Sequence, residues 1–385
     1  MRSSLKTLSI VVLIVAVGGI ASAQWIASGP LTVSQQAMVL EQRGDWRGAE
    51  QTWRQVLQQN PRDGNACAHL GLALAHVGQL PAAVDAYRRA LQLAPNLPRL
   101  QLDLGLALFK QAKLTEATGP LKAAVAAAPA DPQPRVLLGM TYYGMGRYRD
   151  SIPYLQFAAE NTPDNMALRG VLAQSCLYAK RYDCTMEQYR RIMQVSPNSA
   201  QAHMLAGEAE DGLHHRAQAI AEFEAAEKVS PSEPNVHFGL GYLEWKERHY
   251  VRAEEEFRLE LRYVPDHAGA LTYLADTEMR LQHSPEAESD LKKAIRLPGA
   301  GQLAWIDLGV LSAAENRSEE AAADFRKAIQ LDPGDVEAHW RLAQLYQATG
   351  KKMDAKAEFA RAANLQGEQD DSLAQQMIPL AAAGH

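Results

Sequence analysis

Residues 131–165 read DPQPRVLLGMTYYGMGRYRDSIPYLQFAAENTPDN. The stretch predicts two short helices. The first carries Val136, Leu137 and Met140 to Tyr143 and breaks at Gly144-Met145-Gly146. The second runs from about Tyr148 to Asn161 and stops at Thr162-Pro163. Helices this short are marginal alone in water, so each needs a neighbour to cover its apolar face.

The chain supplies those neighbours at a fixed interval. Pro61, Pro95, Pro129, Pro163, Pro197, Pro231 and Pro265 fall thirty-four residues apart. Pro298 comes one place early, and Pro333 restores the register. A second series pairs Leu or Ala with a small residue: Leu70-Gly71, Leu104-Gly105, Leu138-Gly139, Leu172-Ala173, Ala206-Gly207, Leu240-Gly241, Leu274-Ala275, Leu308-Gly309 and Leu342-Ala343. A third is small throughout, among them Ala83, Ala117, Ser151, Ala253 and Ala321. A fourth lies four residues on and is bulky, among them Tyr87, Leu121, Leu155, Phe257 and Phe325. Self-similarity at this period is the mark of a solenoid. The small and bulky residues at i and i+4 share one face of the second helix. Proline, with no N–H to give, closes the unit.

Length and spacing together resemble the tetratricopeptide repeat family over about residues 30–369. That resemblance implies an all-α fold: a right-handed superhelical solenoid of stacked antiparallel helix pairs. About ten units would occupy 30–369, as one continuous array without an internal linker. The unit ending Leu297-Pro298-Gly299-Ala300-Gly301 would be loosened at its turn. After the array, Asp371-Ser372 would cap a short final helix carrying Leu373 and Met377, or residues 370–385 form a tail.

Residues 1–23 have the pattern of a secretory signal. Arg2 and Lys6 precede an apolar run from Leu8 to Ile20, and Ala21-Ser22-Ala23 is a small-x-small cleavage site. The mature chain would begin at Gln24, with 24–29 a short lead. The alternative is an uncleaved membrane anchor. The protein is expected to be exported, periplasmic or secreted if bacterial, with a membrane-anchored form as the alternative. Net charge is −6, and loss of Arg2 and Lys6 makes it −8. With no basic stripe, nucleic acid is a poor partner, and membrane contact is expected only through the N-terminal segment.

Export permits disulfides. Cys176 and Cys184 sit about symmetrically around Lys180-Arg181, where a bridge is geometrically feasible; two small buried thiols are the alternative. Cys67 reads as packed and inert. The eleven histidines show no metal-ligand spacing; His203, His237 and His339 share one repeat slot on different units. No nucleophile elbow, phosphate loop or dinucleotide fingerprint occurs. No catalytic residue, metal or cofactor is therefore expected. Glu254-Glu255-Glu256 reads as a solvated helix face.

What remains is a surface. In the resembled family, the first helices of the units line a concave groove for extended peptides or a partner's helix. Carried over, the groove-facing positions begin with Leu72, Leu102, Leu106, Phe109, Val136, Met140 and Tyr143. They continue with Gln174, Tyr178, Met204, Glu208, Phe238, Tyr242 and Trp245, then Asp276, Arg280, Ile306, Trp340 and Gln344. The aromatic residues would be anchors, unless neighbouring helices bury them as core. Family members that clamp chaperone carboxylate tails use Lys, Asn and Arg. The matching slots here hold Met38, Leu72, Met140, Gln174, Glu208, Tyr242 and Asp276, which argues against a clamp. The resulting expectation is a non-catalytic scaffold that binds a protein or peptide segment, in assembly or stabilisation of an envelope complex. A self-associating structural module, and less readily an accessory subunit of an enzyme, are the alternatives.

Overall fold

A computed structural model describes residues 31–377, with side-chain surroundings through residue 367. The signal region, the whole of the short lead, and residues 378–385 lie outside the described residues. Twenty α-helices and no strand occur among the described residues. They divide into two compact units, residues 31–215 and 216–377. The division falls in the turn at His215/Arg216, a place without the Gly, Ser or Pro enrichment of a linker.

The first unit holds α1 (Val33–Gln42), α2 (Trp46–Gln59), α3 (Gly64–His76), α4 (Leu80–Leu93), α5 (Leu100–Lys110) and α6 (Leu114–Ala127). It continues with α7 (Pro132–Gly144), α8 (Tyr148–Asn161), α9 (Met166–Tyr178), α10 (Tyr182–Val195) and α11 (Ala200–Gly212). The second holds α12 (Arg216–Val229), α13 (Val236–Lys246), α14 (Tyr250–Tyr263), α15 (Ala268–Arg280) and α16 (Ser284–Ala294). After them come α17 (Gln302–Ala314), α18 (Ser318–Leu331), α19 (Val336–Ala348) and α20 (Lys352–Met377).

The hairpin α7–α8 shows how the sequence makes one repeat. Asp131 caps α7 by accepting the Gln133 N–H at 2.8 Å. Gly146, at φ 71°, turns the chain into α8. Gly139 then faces Leu155: a Cβ at Gly139 would stand 2.6 Å from the Leu155 side chain. Gly241 and Phe257 repeat the contact at 2.8 Å in the second unit. The glycine of the Leu-Gly pair on the first helix and the bulky residue on the second are thus two halves of one lock, which recurs at Gly71, Gly105 and Gly309. Bulky side chains fill the gap fully; Leu121, Leu155, Phe257 and Leu291 are completely buried.

The turn from first to second helix passes through one left-handed residue in strict register. Glycine holds it at Gly44, Gly78, Gly146 and Gly350. Ala112, Lys180, His214, Arg248, Gln282 and Asn316 hold it elsewhere, at φ from 57° to 67°.

Neighbouring hairpins stack through second helix on first helix, as α8 on α9 and α14 on α15. Within each unit, first helices also approach one another, α5 to α7 and α13 to α15, without a comparable approach of second helices. The first helices therefore lie on the inside of the local curve.

One element follows the expected loosening of its turn, and one departs from expectation. The helix α16 has 11 residues where most second helices have 14, because the early Pro298 and Gly299 shorten the segment. At the end of the array, α20 runs unbroken to Met377 instead of stopping and restarting at Asp371. No proline intervenes before Pro379, so nothing forces a new start.

Candidate functional site on the first-helix face

In the first unit, the slot of Met140, Gln174 and Glu208 recurs on α7, α9 and α11. Met140 and Phe109 are half-buried against the hydrophobic core, and Met204 is half-buried on α11. The Tyr143 hydroxyl donates to Gln174 Oε1 at 2.7 Å, which ties α7 to α9. Tyr143, Tyr148 and Tyr178 form a chain of rings with centroids 5.6 and 4.8 Å apart. Burial pushes the Tyr143 phenol up to about 12. Tyr178 is 46% exposed and ends the row at the surface. Glu208 reaches solvent, yet the protein around it and then Asp211 raise its carboxyl to about 7.

Below this row Cys176 and Cys184 are joined, with Cα atoms 5.7 Å apart. The bond links the end of α9 to the start of α10 across the left-handed turn at Lys180. Cys67 is a buried free thiol whose pKa burial raises.

In the second unit, Phe238, Tyr242 and Trp245 of α13 meet Tyr273 of α15, all four half-buried. Their centroids lie 5.9, 5.3 and 5.1 Å from the Tyr273 ring, edge to face. Trp245 donates its indole N–H to Asp276 Oδ2. Arg280 donates to both oxygens of the same carboxyl, at 2.8 and 3.2 Å. Phe238 also packs on Phe257 and His267, so it belongs as much to the core edge as to the surface. Further along, Trp340 of α19 is 42% exposed, with the Arg341 guanidinium 5.5 Å above its ring.

Three positions carried over as groove-facing are core. Leu102, Asp276 and Ile306 are buried, because neighbouring first helices close over the side of the helix they occupy. The acidic run is also corrected. Glu255 is exposed, but Glu254 is buried and Glu256 accepts from His237 Nδ1 at 2.8 Å. Successive helical residues are about 100° apart, so three in a row cannot share one solvated face.

The repeated His slot is a structural pair within single hairpins. His237 meets Glu256, and His339 meets Glu358 at 2.6 Å. Among the described residues, no group of three or more His, Cys, Asp or Glu is placed to hold a metal ion. Among them also, no helix is long and apolar enough to cross a membrane.

Tyr273 escaped the sequence reading. It occupies the slot of Gly239 in the preceding repeat, so no series flagged it.

Profiles described as tetratricopeptide repeat match residues 34–98, 136–192 and 204–270, and one described as TPR repeat matches 313–350. The chain belongs to the tetratricopeptide repeat family. Its members are in general interaction scaffolds without catalytic function. No curated protein matches this tetratricopeptide repeat chain. Among solved structures it is similar to yeast Tom70, at 14% identity and TM-score 0.44, covering 89% of this chain and 94% of that one. A tetratricopeptide repeat protein from Parabacteroides merdae ATCC 43184 is similar at 15% identity and TM-score 0.49, covering 74% and 98%. YrrB, described as a TPR protein with an unusual peptide-binding site, is similar at 18% identity and TM-score 0.38, covering 49% and 98%.

Proposed function

We propose that this protein is an exported scaffold whose first-helix face receives a segment of a partner protein, in assembling or stabilising a complex of the cell envelope. The observation that carries the reading is the aromatic shelf of Tyr242, Trp245 and Tyr273. It is rigidified by edge-to-face contacts and by the Trp245–Asp276–Arg280 chain, and it stays partly open to solvent. Fixed aromatic side chains give contact area at low entropic cost. Exposed Trp340 and Tyr178 extend the same class of surface in each unit. The signal pattern of residues 1–23 and the Cys176–Cys184 bond support export.

The test is photo-crosslinking in the native host from Tyr242 and Trp340, with exposed Glu255 on α14 as the outer-face control. One foreign segment captured from both aromatic positions, and not from Glu255, is expected. Capture of the protein's own chain would move the reading to self-association. Capture from Glu255 alone would refute the first-helix face. The mass of the purified protein checks export: a mature chain beginning at Gln24 is expected.

A further inference from the structure

The helix α14 turns Glu254 inward, toward two other acids on two other helices. Glu278 of α15 is 2% exposed, and the Asp290 side chain of α16 is 15% exposed. One guanidinium serves two of the three carboxyls. Arg258 stands 2.8 Å from Glu254 Oε1 and 3.2 Å from Glu278 Oε1, and its own side chain is half exposed. Asp290 is held by Lys293 at 2.7 Å on its own helix. His283, in the turn before α16, lies 3.6 Å from Glu254. On the other side of α15 come α13 and α17, where Trp245 and Asp307 neighbour Asp276 instead. Glu278 Oε2 is buried without a hydrogen-bond partner.

A buried carboxylate oxygen without a donor is costly while the group is charged, and ceases to be so once it carries a proton. We propose that the cluster of Glu254, Glu278 and Asp290 between α14, α15 and α16 is a proton-binding site that strengthens the second unit as its surroundings acidify. The proton resides on Glu278 and removes one negative charge from a group of three, of which Glu254 and Glu278 share Arg258. No covalent or redox chemistry is involved.

Burial, and then Asp290, raise the Glu278 carboxyl to about 7 against the pull of Arg258. The sign follows from linkage. An unfolded glutamate releases its proton near ~4.3, so between that value and about 7 the folded unit holds one more proton than the unfolded chain. The stabilisation is complete below the unfolded pKa and is lost as pH rises through the folded one. Across that window the unfolding equilibrium grows by up to about tenfold per pH unit. Asp307, Asp324 and Glu256 are raised in the same unit and slope the same way. The difference between the natural chain and a Glu278 variant is therefore the readout.

Glu278 lies two residues from both Asp276 and Arg280, on the opposite side of α15. Proton uptake would thus also steady the helix that presents the aromatic shelf. That last step alone rests on the proposed binding function.

The experiment is a carbon-13 titration of glutamate side-chain carboxyls in the full chain, with thermal unfolding from pH 5 to pH 8. One glutamate midpoint near 7 is expected to vanish in Glu278→Gln. The melting temperature of the natural chain should climb as pH falls, and Glu278→Gln should flatten that climb. A Glu278 midpoint in the ordinary glutamate range overturns the proposal, as does an identical pH slope in the variant. Should Glu278→Gln not fold, Arg258→Met, at a half-exposed position, should move the midpoint upward; an unmoved midpoint refutes the site. None of these readouts needs a partner, so failure of the binding function would leave them intact.

Discussion

The two units use the same hairpin and fill it differently. In residues 31–215 the interior is almost wholly apolar, from Trp53 and Tyr87 to Leu138 and Leu155. Its buried polar exceptions are the hydroxyls of Thr141, Ser151, Ser175 and Thr185, which donate to backbone carbonyls, and the pair Arg169 and Gln188, bonded to each other at 3.2 Å. In residues 216–377 the second helices send acids inward: Glu254, Glu256 and Glu260 from α14 alone. Glu260 is 1% exposed and accepts the backbone N–H groups of Asn235 and Phe238, so it closes the start of α13. One backbone repeat can therefore be held by apolar packing, which is indifferent to pH, or by buried charge, which is not.

The largest effect should come from the apolar side. Leu155→Ala removes a fully buried side chain from the Gly139 lock and should destabilise by ~2–5 kcal/mol, equally at pH 5.5 and pH 8. Hydrogen exchange should quicken in α7 and α8 and stay unchanged in residues 216–377. A loss that depended on pH, or that spread into the second unit, would break the comparison.

A smaller effect is expected from Ala253→Phe. Ala253 is completely buried on α14, beside the acids, and an added ring should overpack the hairpin by ~1–3 kcal/mol. Denaturant unfolding checks the figure. An unchanged midpoint would mean that this face of α14 has room, and that charge rather than packing sets the spacing there.

Smallest of all should be Trp340→Ala. The ring is 42% exposed, so stability should shift by no more than ~0.5 kcal/mol in thermal unfolding. Partner capture at that position should nonetheless fall. A large drop in melting temperature would place Trp340 in the packing and narrow the surface to the shelf on α13 and α15.

The hairpins were legible because their signals recur. Pro163 and Gly146 mark the two ends of α8, and Gly139 with Leu155 states which faces meet. Those relations depend on local backbone geometry, repeated ten times. The burial of Glu254 and Glu278 was not legible. It depends on where α15 and α16 place one arginine and one aspartate, and a charged side chain on a polar helix looks the same whether or not a neighbour covers it. For Tyr273 the reason is different: its partners Tyr242 and Trp245 are visible in sequence, but its slot is glycine one repeat earlier.

The left-handed turns between first and second helices carry one more consequence. Six of the ten are held by residues other than glycine, each against the steric preference of an L-amino acid, ~1–2 kcal/mol. Glycine at Lys180, Arg248 or Gln282 would relieve that strain, less the ~0.4–1 kcal/mol of extra freedom it gives the unfolded chain. The array thus keeps an untapped margin of durability, spread along its length in small equal steps. It can be drawn on one bend at a time, and no helix face need change to do so.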